Sequence, residues 1–96
     1  MSNLNYEKHR ELFLAILNLS DISEVGKFFE DVCTVKEIEA MSQRLEVARL
    51  LREGKNYNEV SALTGASTAT ISRVNKCLLY GGGGYGIVLG KAGSEE

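Results

Sequence analysis

Only Ala66 and Ser67 separate Gly65 from the start of a new helical pattern, and this spacing constrains the chain more than any other feature. Upstream, Asn56 and Glu59 are placed as a capping box, in which each side chain takes a backbone N–H that a helix start leaves free. A helix therefore begins at Tyr57. Val60 and Leu63 give it a short apolar side, and Gly65, free to turn left-handed, ends it after about two turns. Ser67 then caps a second helix whose apolar positions Ile71, Val74 and Leu78 recur at steps of three and four. Two helices joined by a tight glycine-containing turn make a helix-turn-helix over Asn56 to Leu79. The first of them is too short to stand alone, so Ile71 and Val74 are expected to pack on Val60 and Leu63, with Ser61 small enough to permit close approach.

The rest of the first 80 positions reads as helix too. Proline is absent, and apolar residues recur at helical rather than alternating spacing. A first helix is expected from Tyr6 to Leu19, with Leu12, Phe13, Ile16, Leu17 and Leu19 in an apolar band wide enough to need covering on two sides. Asp21 and Glu24 announce a second helix, which carries Ile22, Val25, Phe28, Phe29 and Val32 and ends near Cys33. Thr34 and Glu37 open a third, with an expected apolar line of Ile38, Met41, Leu45, Ala48 and Leu51 and a stop at Gly54. On its other side Arg44, Arg49, Arg52 and Lys55 alternate with Glu37, Glu46 and Glu53, the pattern of a solvated, salt-bridged face.

After Leu79 the character changes. Gly81 to Gly84 and Gly86 disfavour a helix, so the expected organisation is a helical domain over 1–80 followed by a flexible glycine-rich tail over 81–96. That run lacks the following Lys and Ser or Thr of a phosphate-cradling loop. Cys33 and Cys77 lie far apart, and the single His9 completes no metal-ligand spacing, so the cysteines read as buried thiols, His9 as a surface group, and no metal or cofactor is expected. No nucleophile stands at recognisable spacing from a base, which argues against an enzyme. With no run of about 18 apolar residues and a polar start, the expected location is cytoplasmic, with no membrane partner.

The net charge of −2 conceals an uneven distribution. From Met1 to Cys33 acidic residues outnumber basic ones, whereas from Val60 to Ser94 there is no Asp or Glu, and Arg73, Lys76 and Lys91 are present. Any phosphate-facing surface belongs to this second stretch. The outward positions of the second reading-head helix are Thr68, Ala69, Thr70, Ser72, Arg73 and Lys76. Hydroxyls can bond base edges, an Ala or Thr methyl can pack on a thymine methyl, and Arg or Lys can reach guanine or phosphate, so the surface suits the major groove of double-stranded DNA. Ser67, as N-cap, leaves backbone N–H groups toward the DNA, where phosphate can be held, and Asn56, at the start of the preceding helix, is a further DNA-binding candidate. A competing reading keeps the helices but gives the hairpin to a protein partner, which the weak positive charge favours.

The stretch GASTATISRVNKCL, residues 65–78, resembles the reading head of the Trp repressor family, and NYNEVSALTG before it resembles that family's preceding helix. With EIEAMSQRLEVARLLREG upstream, nearly the whole chain is similar to the YerC/YecD-type branch of Trp-repressor-like proteins. The resemblance implies an all-α, intertwined helical homodimer whose first helices wrap the partner, acting as a bacterial transcriptional regulator, in the first instance a repressor. By position, the repressors' base contacts fall on Thr68, Ala69 and Ser72, with Ser67 and Thr70 near phosphate and Arg73 following. Repressors also hold tryptophan, with an arginine at the position of Arg73, a second arginine on the long helix and a glycine that leaves room for the indole. Here that glycine is Val74, and a nearby serine is Cys77. Ungapped, Gln43 stands at the second arginine, and Arg44 reaches it only with a one-residue gap. Arg44 and Arg73 are the candidate effector-binding pair, and tryptophan itself is not expected to fit.

Overall fold

In a computed structural model of the chain, residues 3–93 are described, with the side chains of residues 3–90. They form helices α1 (Arg10–Leu17), α2 (Ile22–Val32), α3 (Val35–Arg52), α4 (Tyr57–Thr64), α5 (Thr68–Tyr80) and α6 (Gly84–Gly93), with no strand among the described residues. Two compact units result, one of Asn3–Glu39 and one from Ala40 onward.

In the first unit the helix starts follow the local chemistry of their caps. Asp21 Oδ1 accepts from the Glu24 amide at 2.9 Å, but the Glu24 carboxylate takes the amide of Ser20, at 2.8 Å, rather than that of Asp21. Thr34 and Glu37 close a full capping box, at 3.1 and 2.8 Å. The first helix is shorter than its apolar band: the Asn5 carboxamide accepts the Lys8 amide and His9 supplies no side-chain cap, so residues 6–9 turn without entering the helix. Tyr6 still packs on Phe13, with ring centroids 5.7 Å apart. Among the described residues of this unit none is buried; Leu17 is 78% and Ile22 is 90% exposed. His9 and Cys33 are half-buried, which places both off the surface-or-core alternatives that sequence suggests for them.

The second unit holds the core. Val47, Ala48 and Leu50 of α3, Val60 of α4, Ala66 of the turn, and Ile71 and Val74 of α5 form one buried cluster, with Leu51, Leu78, Tyr85 and Leu89 packed against it. Of the expected apolar line of α3, Ala48 is buried and Leu51 packs on the core, but Val47 and Leu50 join them from outside that line and Leu45 is exposed. A helix apolar on more than one side gives no unique face to periodicity; the neighbours that cover it decide. On the outer side of α3, Arg49 pairs with Glu46 and Glu53, the only ion pairs among the described residues. The Arg49 hydrogen bond holds the Glu46 carboxyl below its ordinary pKa, and all three groups are exposed.

The glycine-rich segment departs from expectation. It forms α6, where sequence composition favours a flexible tail; only residues 94–96 of that stretch lie outside the described residues. Gly83, at φ 89°, takes a left-handed turn between α5 and α6, and its carbonyl accepts the Ile87 amide at 3.0 Å. Tyr85 and Leu89, four residues apart, then both reach the core, and this packing outweighs the poor helix propensity of the glycines. Gly81 is needed for space: a Cβ there would stand 2.6 Å from the Cys77 carbonyl oxygen. Gly81→Ala is expected to cost about 1–3 kcal/mol through displaced backbone at the α5–α6 junction, seen as a lower urea midpoint. An unchanged midpoint would show that the junction yields freely.

Candidate nucleic-acid interface

The reading head begins at a complete capping box. Asn56 Oδ1 accepts from the Glu59 amide and Glu59 Oε1 accepts from the Asn56 amide, both at 2.9 Å, contributing about 1 kcal/mol to the start of α4. The α4 helix ends at Gly65, at φ 76°, a conformation that costs an L side chain about 1–2 kcal/mol. Between Gly65 and α5 the turn is closed by its own side chains. Ser61 Oγ donates to the Ala66 carbonyl at 2.9 Å, and Thr64 Oγ1 donates to the Val60 carbonyl at 2.7 Å while accepting the Ala66 amide at 3.1 Å. Gln43 Nε2, from α3, donates to the Thr64 carbonyl at 3.3 Å. Sequence reasoning assigned Ser61 only a small size and gave Thr64 no role; a bond spanning 21 residues, like Gln43 to Thr64, has no local signal.

The α5 helix has two opposed sides. Ile71 and Val74 are 0% and 1% exposed and pack with Val60, as spacing predicts, but Leu63 does not join them: it is 64% exposed. With only eight residues, α4 turns one narrow face to the core through Val60, and Ala66 of the turn is buried in the same cluster. Around the other side, Ala69, Ser72, Arg73 and Lys76 are all exposed at steps of three and four residues, with Thr68 exposed at the edge. Tyr80, 63% exposed, continues this row and was not singled out by sequence. Thr70 is half-buried, and its amide is taken by Ser67 Oγ at 3.1 Å, so the cap uses one of the N–H groups that sequence reading left for phosphate. Among the described residues Arg73 and Lys76 make no ion pair, and no carboxylate stands on α5.

Of the candidate effector pair, Arg44 is half-buried on α3 and Arg73 is exposed on α5. Val74 occupies the core and Cys77, expected as a buried thiol, is exposed, because the inner row of Ile71, Val74 and Leu78 passes to one side of it. A cleft of about 430 Å³ opens along the C-terminal half of α5, lined by Leu51, Arg52, Asn75, Leu78 and Tyr85 among others. Among the described residues no group of His, Cys, Asp and Glu could hold a metal ion, and no helix is long and apolar enough to cross a membrane.

Comparison with known proteins places this arrangement. The family described as Trp repressor protein matches residues 7–92. The chain belongs to the Trp repressor family. Among its relatives, the uncharacterized protein YerC of Bacillus subtilis (strain 168) is 51% identical over 86 residues, covering 90% of this chain and 83% of YerC. Two solved structures share the all-helical fold of this Trp repressor family member at a TM-score of 0.86. One is a TrpR-like protein from Eubacterium eligens ATCC 27750, 53% identical, with 91% and 90% of the two chains covered. The other is a candidate Trp repressor from Staphylococcus aureus, 42% identical, with 94% and 95% covered.

Proposed function

We propose that this chain is a sequence-specific, DNA-binding transcriptional regulator, most simply a repressor, that works in the cytoplasm as a homodimer and carries out no catalysis. The observation that carries the reading is the two-sidedness of α5: the buried Ile71 and Val74 hold the helix, and the opposite row of Ala69, Ser72, Arg73 and Lys76 is exposed, free of carboxylates and, among the described residues, without an ion pair. Thr68, Ala69 and Ser72 are the base-reading residues, Arg73 and Lys76 supply charge, and Asn56, Ser67 and Thr70 lie toward phosphate. A second copy covers the apolar side chains that α1 and α2 leave exposed and sets two recognition helices in successive major grooves about 34 Å apart, which calls for a near-palindromic operator.

Selection from a random duplex library tests this directly. An enriched near-palindrome is expected, and the Thr68→Ala/Ser72→Ala variant should bind it about 10- to 100-fold more weakly, as lost base contacts cost about 1–3 kcal/mol. With Arg73 and Lys76 as the cations that the outer row of α5 presents in each copy, the dimer neutralises about four phosphates and log K should fall with log salt at a slope of about −4. Arg73→Ala should make that slope shallower; an affinity indifferent to it would count against the model.

A protein partner is the second reading, favoured by the exposure of Leu79, Tyr80, Ile87 and Val88 along α5 and α6. No enrichment of any duplex at low salt would move the assignment there.

A further inference from the structure

Resting on the DNA-binding reading, we infer that Tyr80 is a further DNA contact of each copy, its phenol donating a hydrogen bond to a backbone phosphate at the rim of the major groove. The register of α5 puts it on the DNA-facing side. From Ala69 to Tyr80 the helix makes three turns and about 20° more, so Tyr80 falls on the same line as Ala69, Arg73 and Lys76. Its side chain is 63% exposed, and among the described residues no hydrogen bond or ring contact engages it. Its neighbours behave differently. Tyr85 turns to the core, and Leu78 and Leu79 line the cleft, whereas Tyr80 takes part in neither. Tyrosine is a weaker helix former than Lys, Gln or Glu and leaves an apolar ring in water, so an exposed helix position gains little from it by itself.

Distance selects phosphate over a base. Along the axis Tyr80 stands about 12 Å beyond Ser72 and about 6 Å beyond Lys76. A recognition helix reads base edges with its N-terminal residues, and the major groove is about 12 Å wide. A row that begins on bases at Thr68, Ala69 and Ser72 therefore reaches the flanking phosphates at its other end. A phenol suits that place: the ring spans the gap, and the hydroxyl donates to a phosphate oxygen, a contact that positions the protein without reading sequence. Being neutral, it releases no counterion, which separates it from Arg73 and Lys76.

The test uses the full chain and the duplex that random selection yields, with Kd followed from about 50 to about 200 mM salt. Tyr80→Phe keeps the ring and loses only the hydroxyl. It is expected to bind about 10-fold more weakly, since each copy loses one bond to a charged acceptor, while keeping the parent's salt slope, preferred sequence and sedimentation. Tyr80→Arg, which puts a cation at the same point, is expected to bind at least as tightly as the parent at low salt and to steepen the slope by about 2, one phosphate for each copy. A Phe variant with the parent's Kd overturns the inference and leaves the DNA-binding reading intact. So does a weaker Phe variant whose preferred sequence changes, which puts the hydroxyl on a base, or whose sedimentation changes, which gives it to the contact between copies. An Arg variant with the parent's slope overturns it as well. A parent chain that enriches no duplex sinks the DNA-binding reading and this contact together.

Discussion

In urea titrations Ile71→Ala is expected to lower the free energy of unfolding by about 2–5 kcal/mol, the range for truncating a fully buried aliphatic side chain in a core that cannot collapse around the gap. Ile71 is 0% exposed and sits where α3, α4 and the turn converge, so each wall of the cavity belongs to a different element. Since a domain of this size is stable by only about 5–15 kcal/mol, the loss is a large fraction of the total. Operator binding should then fall with the folded fraction and recover on cooling toward the temperature of maximum stability, without any change in the preferred sequence. Leu63 provides the contrast. It has the same helical spacing relative to Val60 that made it a core candidate, yet it is 64% exposed, so Leu63→Ala is expected to stay within about 0.5 kcal/mol of the parent. An Ile71→Ala midpoint no lower than that of Leu63→Ala would mean that the head packs through a different set of residues.

That pair of side chains also marks how far sequence alone reaches. Helix starts were legible because their chemistry is local: Asp21, Thr34, Asn56 and Ser67 each accept the amide three residues on, and Gly65 takes the left-handed turn. The outward row of α5 was legible for a related reason, since once Ile71 and Val74 are inside, the 3.6-residue period places Ala69, Ser72, Arg73 and Lys76 outside. What depends on other elements was not. Whether Leu63 or Ala66 completes the core, and whether α3 turns Val47 or Leu45 inward, is settled by the packing of three helices together. Helix α6 is invisible to propensity because its glycines are overruled by two side chains, Tyr85 and Leu89, that reach a core built elsewhere in the chain. The Gln43–Thr64 bond belongs to the same class: both residues are ordinary until folding brings them together.

A larger effect on DNA binding is expected from charges placed on α1. Ordering a residue costs about 1–2 kcal/mol in backbone entropy, and a fully buried Leu or Ile returns about 1.5–3 kcal/mol. The unit of Asn3–Glu39 has no buried residue among those described, while Leu12, Leu14, Ile16, Leu17, Ile22 and Val25 are all exposed. Its order therefore calls for further burial, and in the proposed homodimer a second copy is the occupant of these faces. In Leu12→Glu/Ile16→Glu two carboxylates per copy would have to be desolvated at that contact without partners, a penalty far beyond what the lost apolar area alone would exact. Sedimentation is expected to show a dimer for the parent and a monomer with reduced helicity for the variant, and Lys8→Glu, a comparable charge change among polar neighbours, should behave as the parent. Because the two half-sites are then no longer engaged by one linked molecule, operator affinity should fall by about 100- to 10,000-fold, although no residue of α5 has been touched. A variant that keeps the parent's helicity as a monomer, or that binds the operator as tightly, would show that the first unit orders by itself and that DNA reading requires only one copy.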